Sequence, residues 1–199
     1  MSAVAEKVYD GGLLSGGSQQ VVLGIDQSYT GFAATFMSAS GDPLFQGWVY
    51  KSEGQGIDRL IGISLWLQAK IEHIEGLGFE IVDSALESPV KMSHSALISG
   101  ELFAAVRMRL RASCKGRATY PLQVPPTSLK KYVTGKGTGI QKNQMLLQVY
   151  KKWDVEFDDD NAADSYGIAR IVSGRAESAY EKDVVSKLLS GNYRDVSTH

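Results

Sequence analysis

Two acidic residues end predicted strands, at positions where stability alone would not place a carboxylate. Asp26 follows the run 21–25, and Glu87 follows the run 79–86. A carboxylate at the end of a buried strand is costly unless it is paired, hydrogen-bonded or bound to a metal ion. If the two strands are parallel neighbours, their ends bring both carboxylates together at one edge of a sheet.

A third acid, Asp164, lies near the start of a predicted helix. Residues three and four apart share a helix face, so Asp160 and Asn161 can point the same way as Asp164. N-capping and the helix dipole are an alternative explanation for acids in a first helical turn. That alternative is weaker for Asp164, because the later residues Ile168 and Ile171 put it on the apolar face.

Clustered carboxylates repel one another unless a cation neutralises them. Ligation by oxygen atoms alone suits Mg²⁺ or Mn²⁺ better than zinc. Two such ions, about 3.5–4 Å apart, can activate a water and stabilise the leaving oxygen when a phosphodiester is cleaved. The acids therefore predict a site for two Mg²⁺ ions, with Mn²⁺ as the alternative metal, and phosphodiester hydrolysis as its chemistry.

The basic residues are concentrated in one part of the chain, although the net charge is only -1. The span 107–152 holds eleven of the 21 Lys and Arg residues and no Asp or Glu. A solvated surface normally mixes both signs, so a phosphate backbone is the better explanation. The candidates for DNA contact are Lys91, Arg107, Arg111, Lys115, Arg117, Lys130, Lys131, Lys136 and Lys142.

Apolar runs and turn clusters predict one α/β domain at 21–190, between a flexible leader at 1–20 and a tail at 191–199. We expect a mixed sheet of five strands, an antiparallel meander followed by parallel strands, flanked by helices. The predicted strands are 21–25, 29–36, 44–50, 79–86 and 118–124. The predicted helices are 57–74, 95–110, 127–133, 141–153, 162–173 and 177–190.

Composition excludes several classes of protein. The chain is 199 residues long and 43% hydrophobic, enough for one well-filled domain. It has neither an apolar stretch of about 20 residues nor a signal-peptide pattern, so we expect no membrane partner and a cytoplasmic location, in a bacterial cell or in the host of a virus. A single cysteine, Cys114, excludes an internal disulfide framework and a thiolate metal cluster.

Several motifs, taken in order, resemble the RuvC family of Holliday-junction resolvases, with a phage-type member as one possibility. The resemblance spans residues 21–173. Its motifs are Gly24-Ile25-Asp26 with Thr30-Gly31, the strand-end Glu87, Ser99-Gly100-Glu101, Lys131 and Lys142 with the glycines between them, and Ala162-Ala163-Asp164 with the following helix. The resemblance implies an RNase H-like fold, a homodimer, and a structure-selective endonuclease that cuts four-way or other branched DNA by paired nicks.

Roles for the acids and lysines follow as hypotheses. Asp26 bridges both metal ions, Glu87 binds one ion, and Asp164 binds the other together with Asp160 or Asn161. Lys142 neutralises the charge that develops at the cleaved phosphate, while Lys131 and Lys136 grip the backbone. For the dimer interface, one candidate is the helix that carries Leu97, Ile98, Leu102, Phe103 and Val106, although burial against its own sheet explains that face equally well.

The sequence departs from the family pattern at two places. Asn161 stands where the family usually has Asp or His, and an amide oxygen is a weaker metal ligand than a carboxylate. Either Asp160 takes over, Asn161 serves as it stands, or the position is an inactivating substitution. The segment after Glu87 lacks the aromatic residue found in some relatives, so any wedge into a junction would be Met92 or another residue.

Three alternative functions remain open at this stage. The first is a non-catalytic nucleic-acid-binding module, which would follow if Asn161 disables the site. The second is an RNA-directed relative of the same nuclease class. The third is an ATPase of the actin and sugar-kinase type, which also opens with a strand, an aspartate and a Thr-Gly turn. That type needs two such domains around its nucleotide, and 199 residues supply one.

Overall fold

A computed structural model describes residues 5–15, 19–89 and 96–194. The strands are β1 (Ala5–Gly11), β2 (Gln20–Asp26), β3 (Phe32–Ser38), β4 (Phe45–Lys51), β5 (Glu80–Glu87) and β6 (Leu122–Val124). The helices are α1 (Gly56–Gly76), α2 (Ala96–Ser113), α3 (Pro126–Thr134), α4 (Lys142–Trp153), α5 (Asp160–Val172) and α6 (Ala179–Ser190). Short 3-10 helices cover Leu13–Ser15 and Gly116–Thr119. No helix among these residues is long and apolar enough to cross a membrane.

The strands form one mixed sheet in the order β1-β4-β3-β2-β5-β6. The pairs β1–β4, β4–β3 and β3–β2 are antiparallel, whereas β2–β5 and β5–β6 are parallel. This confirms the predicted meander followed by parallel strands. The strands that carry Asp26 and Glu87, β2 and β5, are parallel neighbours, which was the condition for their carboxylates to meet.

The prediction of five strands was wrong, because the described residues form six. The additional strand, β1, pairs along its whole length with β4 and lies inside the segment 1–20, for which a flexible leader was predicted. Its apolar pattern is weak, and Val8 is 52% exposed. The strand depends instead on β4 and on Tyr9, whose hydroxyl donates to Asp158 at 2.6 Å and whose ring packs edge-on against Phe157. Local sequence does not report such distant contacts.

The predicted strand 118–124 was too long. Only Leu122–Val124 pairs with β5, and the preceding residues form the 3-10 helix Gly116–Thr119. Two side chains hold that turn. The Thr119 hydroxyl donates to the Gly116 carbonyl at 2.8 Å, and the buried Ser84 hydroxyl donates to the Ala118 carbonyl at 2.7 Å.

Each face of the sheet has its own apolar core. One core packs α1 and α2 against the sheet and includes Leu23 and Ile25 of β2. The other packs α3 to α6 against the opposite face and includes Val22 of β2 and Ala85 of β5. Because side chains alternate along a strand, Asp26 and Glu87 point toward the same face as Val22 and Ala85, the face that α5 covers.

Helix α5 lies unusually close to the sheet. A Cβ atom on Gly24 would lie 2.4 Å from the backbone oxygen of Ser165 and 2.4 Å from the backbone nitrogen of Ala169. The helix is also tied to β3 by a 2.8 Å hydrogen bond between the Thr35 and Ser165 hydroxyls. The glycine of β2 thus sets the height at which α5 crosses the sheet, above the strand that ends in Asp26.

Candidate active site

The carboxyl groups of Asp26 and Glu87 meet at one edge of the sheet. Ile25 of β2 pairs with Leu86 of β5, so the next residue of each parallel strand lies at the same level. Asp26 is only 5% exposed, and its carboxyl group is hydrogen-bonded to that of Glu87. The two strand ends therefore converge, as expected for parallel neighbours.

Burial changes the acidity of this pair. It raises the pKa of the Glu87 carboxyl to about 7, and the nearby charge of Lys130 and the hydrogen bond to Asp26 oppose that rise only in part. Two buried carboxyl groups in contact ionise together only when a cation neutralises them. The pair therefore keeps its proton to a higher pH than a free glutamate does, in a place where a hard divalent cation would find oxygen ligands.

Gln27 links the ends of β2 and β5 by a hydrogen bond. Its side-chain Nε2 donates to the backbone oxygen of Glu87 at 2.5 Å, and its Oε1 is fully buried. This contact keeps the ends of β2 and β5 at a fixed separation. Sequence reasoning missed Gln27, although its position directly after Asp26 was a signal that it would lie at the same edge.

The first turn of α5 lies against the loop that follows Asp26. The side chain of Asp159 caps the helix, accepting from the Asn161 backbone nitrogen at 2.9 Å and from Asn161 Nδ2 at 2.9 Å. A Cβ atom on Gly31 would lie 2.6 Å from that same Nδ2. The glycine of the Thr30-Gly31 motif thus admits the Asn161 amide next to the end of β2.

The other predicted metal ligands, Asp160 and Asp164, lie on α5 and not at a strand end. Asp160 and Asp164 are half-buried, and Oδ1 of Asp164 is fully buried. Within the described residues, no three His, Cys, Asp or Glu side chains are close enough together to hold a metal ion. The structure therefore brings Asp26 and Glu87 together and places Asp164 on the helix that covers the same face, without closing a cluster of three carboxylates.

The two carboxylates are sufficient ligands for one magnesium ion that keeps most of its waters. Mg²⁺ retains several waters and is commonly held by one or two carboxylates together with substrate phosphates. Asp26 and Glu87 supply two such carboxylates. Asp160, Asn161 and Asp164 remain predicted ligands.

Positive charge approaches the carboxylates from α3. That helix starts two residues after Val124, which pairs with Glu87, and the charge of its Lys130 acts on the Glu87 carboxyl. The loop after α3 folds back, since a Cβ atom on Gly137 would lie 3.2 Å from the Thr127 carbonyl oxygen. This return places the exposed Lys136 near the start of α3, on the side of the carboxylates.

Comparison with known proteins gives matches in structure alone. No protein-family model and no curated sequence matches the chain. The structure of Thermus thermophilus RuvC matches with a TM-score of 0.55 and 18% identity, over 75% of this chain and 90% of that one. The structure of T. thermophilus RuvC in complex with Holliday junction substrate matches with a TM-score of 0.58 and 16% identity, over 85% and 94%. The chain has a RuvC-like fold.

The RuvC-like fold separates the predicted DNA contacts into two groups. Lys130 and Lys136 lie on the side of the carboxylates, as described above, and Lys131 on the same helix α3 pairs with Asp183 of α6 at 2.6 Å. Arg117, by contrast, pairs at 2.9 Å with Asp83, four residues before Glu87 on β5. That spacing corresponds to roughly 13 Å along a strand. The structure therefore does not bring Arg117 to the acids.

The remaining basic residues of the RuvC-like fold are also distributed. Lys115 lines a pocket with Glu75 and Glu80, at the start of β5. Arg107 and Arg111 line a groove of about 620 Å³ beside α2, where the Arg111 guanidinium lies over the Tyr120 ring. Lys91, Met92 and the side chain of Lys142 lie outside the described part of the chain.

Two residues of the basic tract, the span 107–152 that has no Asp or Glu, make contacts within the fold instead. Arg109 of α2 donates to Ser64 and Gln68 of α1, at 3.0 and 2.5 Å. Lys152 pairs with the buried carboxylate of Glu181. A charge count along the sequence cannot distinguish such internal partners from contacts with a nucleic acid.

Proposed function

We propose that this chain is a magnesium-dependent endonuclease that resolves four-way or other branched DNA by hydrolysing phosphodiester bonds. The observation that carries the proposal is the contact between the Asp26 and Glu87 carboxyls, at the ends of adjacent parallel strands in a RuvC-like fold. The structural neighbour solved with a Holliday junction substrate supports branched DNA as the substrate class.

The roles of the acids follow from their positions. Asp26 and Glu87 would hold one Mg²⁺, or Mn²⁺, and Asp164 with Asp160 or Asn161 would contribute to a second. When bound, the metal supplies a water of lowered pKa and neutralises charge on the phosphate. Because Nδ2 of Asn161 is already committed to Asp159, the amide oxygen is the atom that this side chain offers to a cation.

The lysine and arginine side chains would contact the DNA substrate. Lys130, next to Glu87, would attract the scissile phosphate and stabilise the negative charge that develops on it. Lys136 and Lys131 would hold the neighbouring backbone, and Lys142 is proposed for the same phosphate as Lys130. Arg107, Arg111, Lys115 and Arg117 are proposed only as contacts to more distant duplex arms, and Lys91 is proposed as a further DNA contact.

Resolution by paired nicks needs two active sites, so we propose a homodimer. On the predicted interface helix, Leu97 and Ile98 are exposed, whereas Leu102 and Val106 are buried in the core of the same chain. Exposed apolar residues also line α1 at helical spacing: Ile57, Ile61 and Leu65. Light scattering tests this assembly, since Ile61→Asp should shift a dimer to monomers and leave the fold unchanged.

The test is cleavage of an immobile four-way junction beside a matched linear duplex and an RNA–DNA hybrid, with Mg²⁺ and with EDTA. The proposal expects metal-dependent cutting of the junction in preference to both linear substrates. Equal cutting of the linear duplex would reduce the function to a general nuclease, and preference for the hybrid would favour an RNA-directed enzyme. If calorimetric titration with Mg-ATP shows no heat of binding, the ATPase alternative is excluded.

A second candidate is a non-catalytic junction-binding protein. It is favoured by Asn161 and by the lack of a closed three-carboxylate group among residues 5–15, 19–89 and 96–194. Tight junction binding without cleavage in Mg²⁺ or Mn²⁺ would support it, provided that Asn161→Asp also fails to cut. Cleavage gained by Asn161→Asp alone would instead identify residue 161 as the missing ligand.

A further inference from the structure

An arginine outside the basic tract lies beside the loop that follows Asp26. Arg59, in the first turn of α1, holds its guanidinium over the ring of Tyr29, 5.3 Å from the ring centroid. Its Nε donates to the Gly54 carbonyl at 2.5 Å. These two contacts restrain the guanidinium, because it lies close to the ring and its Nε is tied to a backbone carbonyl.

This pair lies at the same edge of the sheet as the carboxylates. Tyr29 belongs to the loop between β2 and β3, three residues after Asp26. Strand β4 runs parallel to β2, since both are antiparallel to β3, so the helix that follows β4 begins at the edge where Asp26 lies. Arg59 therefore stands beside the β4 and β3 side of that edge, whereas Lys130 stands beside β5 and β6.

The terminal nitrogens of Arg59 are available to a ligand. Among the described residues, no acceptor takes a hydrogen bond from Nη1 or Nη2, and no carboxylate pairs with the guanidinium. Arg175 shows the contrasting arrangement. Its terminal nitrogens donate to the backbone oxygens of Ser38 and Gly41 at 3.0 and 3.1 Å, as expected of an arginine that only holds loops together.

A guanidinium fixed in this way has the chemistry of a phosphate site. Its two terminal nitrogens form a planar fork that matches two phosphate oxygens, and an aromatic ring beneath it limits the rotamer entropy lost on binding. We propose that Arg59, seated on Tyr29, binds a backbone phosphodiester of the DNA on the side of the Asp26–Glu87 pair opposite Lys130. This inference rests on the proposed function. It adds a DNA contact on the other side of the sheet edge at which Asp26 and Glu87 lie.

The test is junction binding without cleavage, measured by fluorescence anisotropy in EDTA over a series of salt concentrations. Arg59→Ala should weaken binding about tenfold and lower the slope of log K against log salt by about one phosphate contact. Arg59→Lys keeps the charge but loses the fork, and should weaken binding by about threefold. Lys182→Ala, which removes one exposed charge from α6, is the matched control and should leave the affinity and the slope unchanged.

Substitutions of Tyr29 test the aromatic support separately. Tyr29→Phe keeps the ring and should bind as the wild type does, whereas Tyr29→Leu should lose part of the affinity that Arg59→Ala loses. If Arg59→Ala and Arg59→Lys both match Lys182→Ala while the wild type binds junctions, the inference is overturned and the proposed function stands. A wild-type chain that binds no junction overturns the proposed function, and this inference with it.

Discussion

The carboxyl groups of Asp26 and Glu87 are hydrogen-bonded to each other at the ends of two adjacent parallel strands. Burial disfavours the ionised form of Glu87, so the buried pair costs the folded chain stability at a pH where both acids would ionise. A divalent cation makes the same contact favourable. This arrangement of two carboxyl groups is the one that the proposed magnesium site requires.

The first prediction concerns pH. Burial raises the pKa of Glu87 from 4.5 to about 7, so between these values the folded chain retains a proton that the unfolded chain has lost. This contribution to stability is fully present below pH 4.5 and is lost as the pH rises through about 7, and the part lost between pH 5 and pH 8 is roughly 2–3 kcal/mol. Urea denaturation in EDTA at pH 5 and pH 8 measures it.

Glu87→Gln is the control for that measurement, because an amide does not titrate. The difference between the two pH values should be smaller in Glu87→Gln than in the wild type by the amount given above. Mg²⁺ added at pH 8 should restore stability to the wild type and not to Glu87→Gln. Identical pH profiles for the two proteins would contradict the pKa that the structure gives Glu87.

The second prediction concerns the close approach of α5 to the sheet. Gly24→Ala places a Cβ atom 2.4 Å from backbone atoms of Ser165 and Ala169, so the helix must shift away from β2. We expect a loss of about 1–3 kcal/mol in the free energy of unfolding, measured by urea denaturation. Gly100→Ala in α2 is the matched control, since nothing lies within 4 Å and the helix should gain stability. Equal effects of the two substitutions would contradict the packing.

The third prediction concerns β1. Tyr9→Ala removes the hydrogen bond to Asp158 and the edge-on contact with Phe157, so β1 should detach from β4 more often. Limited trypsin digestion, followed by mass spectrometry, should show faster cleavage after Lys7. Val8→Ala, at an exposed position on the same strand, should digest at the wild-type rate. Equal rates for the two variants would mean that β1 is held by backbone pairing alone.

These cases show what the sequence can predict. The bounds of most helices and of β2 to β5 were predicted to within a few residues, because apolar periodicity is a local signal. The meeting of Asp26 and Glu87 was predictable for a similar reason, since both residues end apolar strands. The role of Tyr9 was not predictable, because its partner Asp158 is 149 positions away in the sequence. The contact of Arg59 with Tyr29 was hidden in the same way.

The fourth prediction separates the two groups of basic residues. Lys130 acts on the Glu87 carboxyl, whereas Lys115 lies at the start of β5. Lys130→Ala should weaken junction binding and lower its salt slope by about one phosphate contact. Lys115→Ala removes the same charge and should have a smaller effect. Both effects are measured by anisotropy over a salt series. A larger loss of binding in Lys115→Ala than in Lys130→Ala would mean that the DNA binds at the other end of the strands.

The central claim is that Asp26 holds the metal that cleaves DNA. Asp26→Asn keeps the size of the side chain and removes its charge, so junction binding in EDTA should equal that of the wild type. The most direct measurement is the single-turnover rate of junction cleavage in Mg²⁺ by these two proteins. The account predicts metal-dependent cleavage by the wild type and a loss of at least about a thousandfold in Asp26→Asn. Cleavage by Asp26→Asn at the wild-type rate would contradict it.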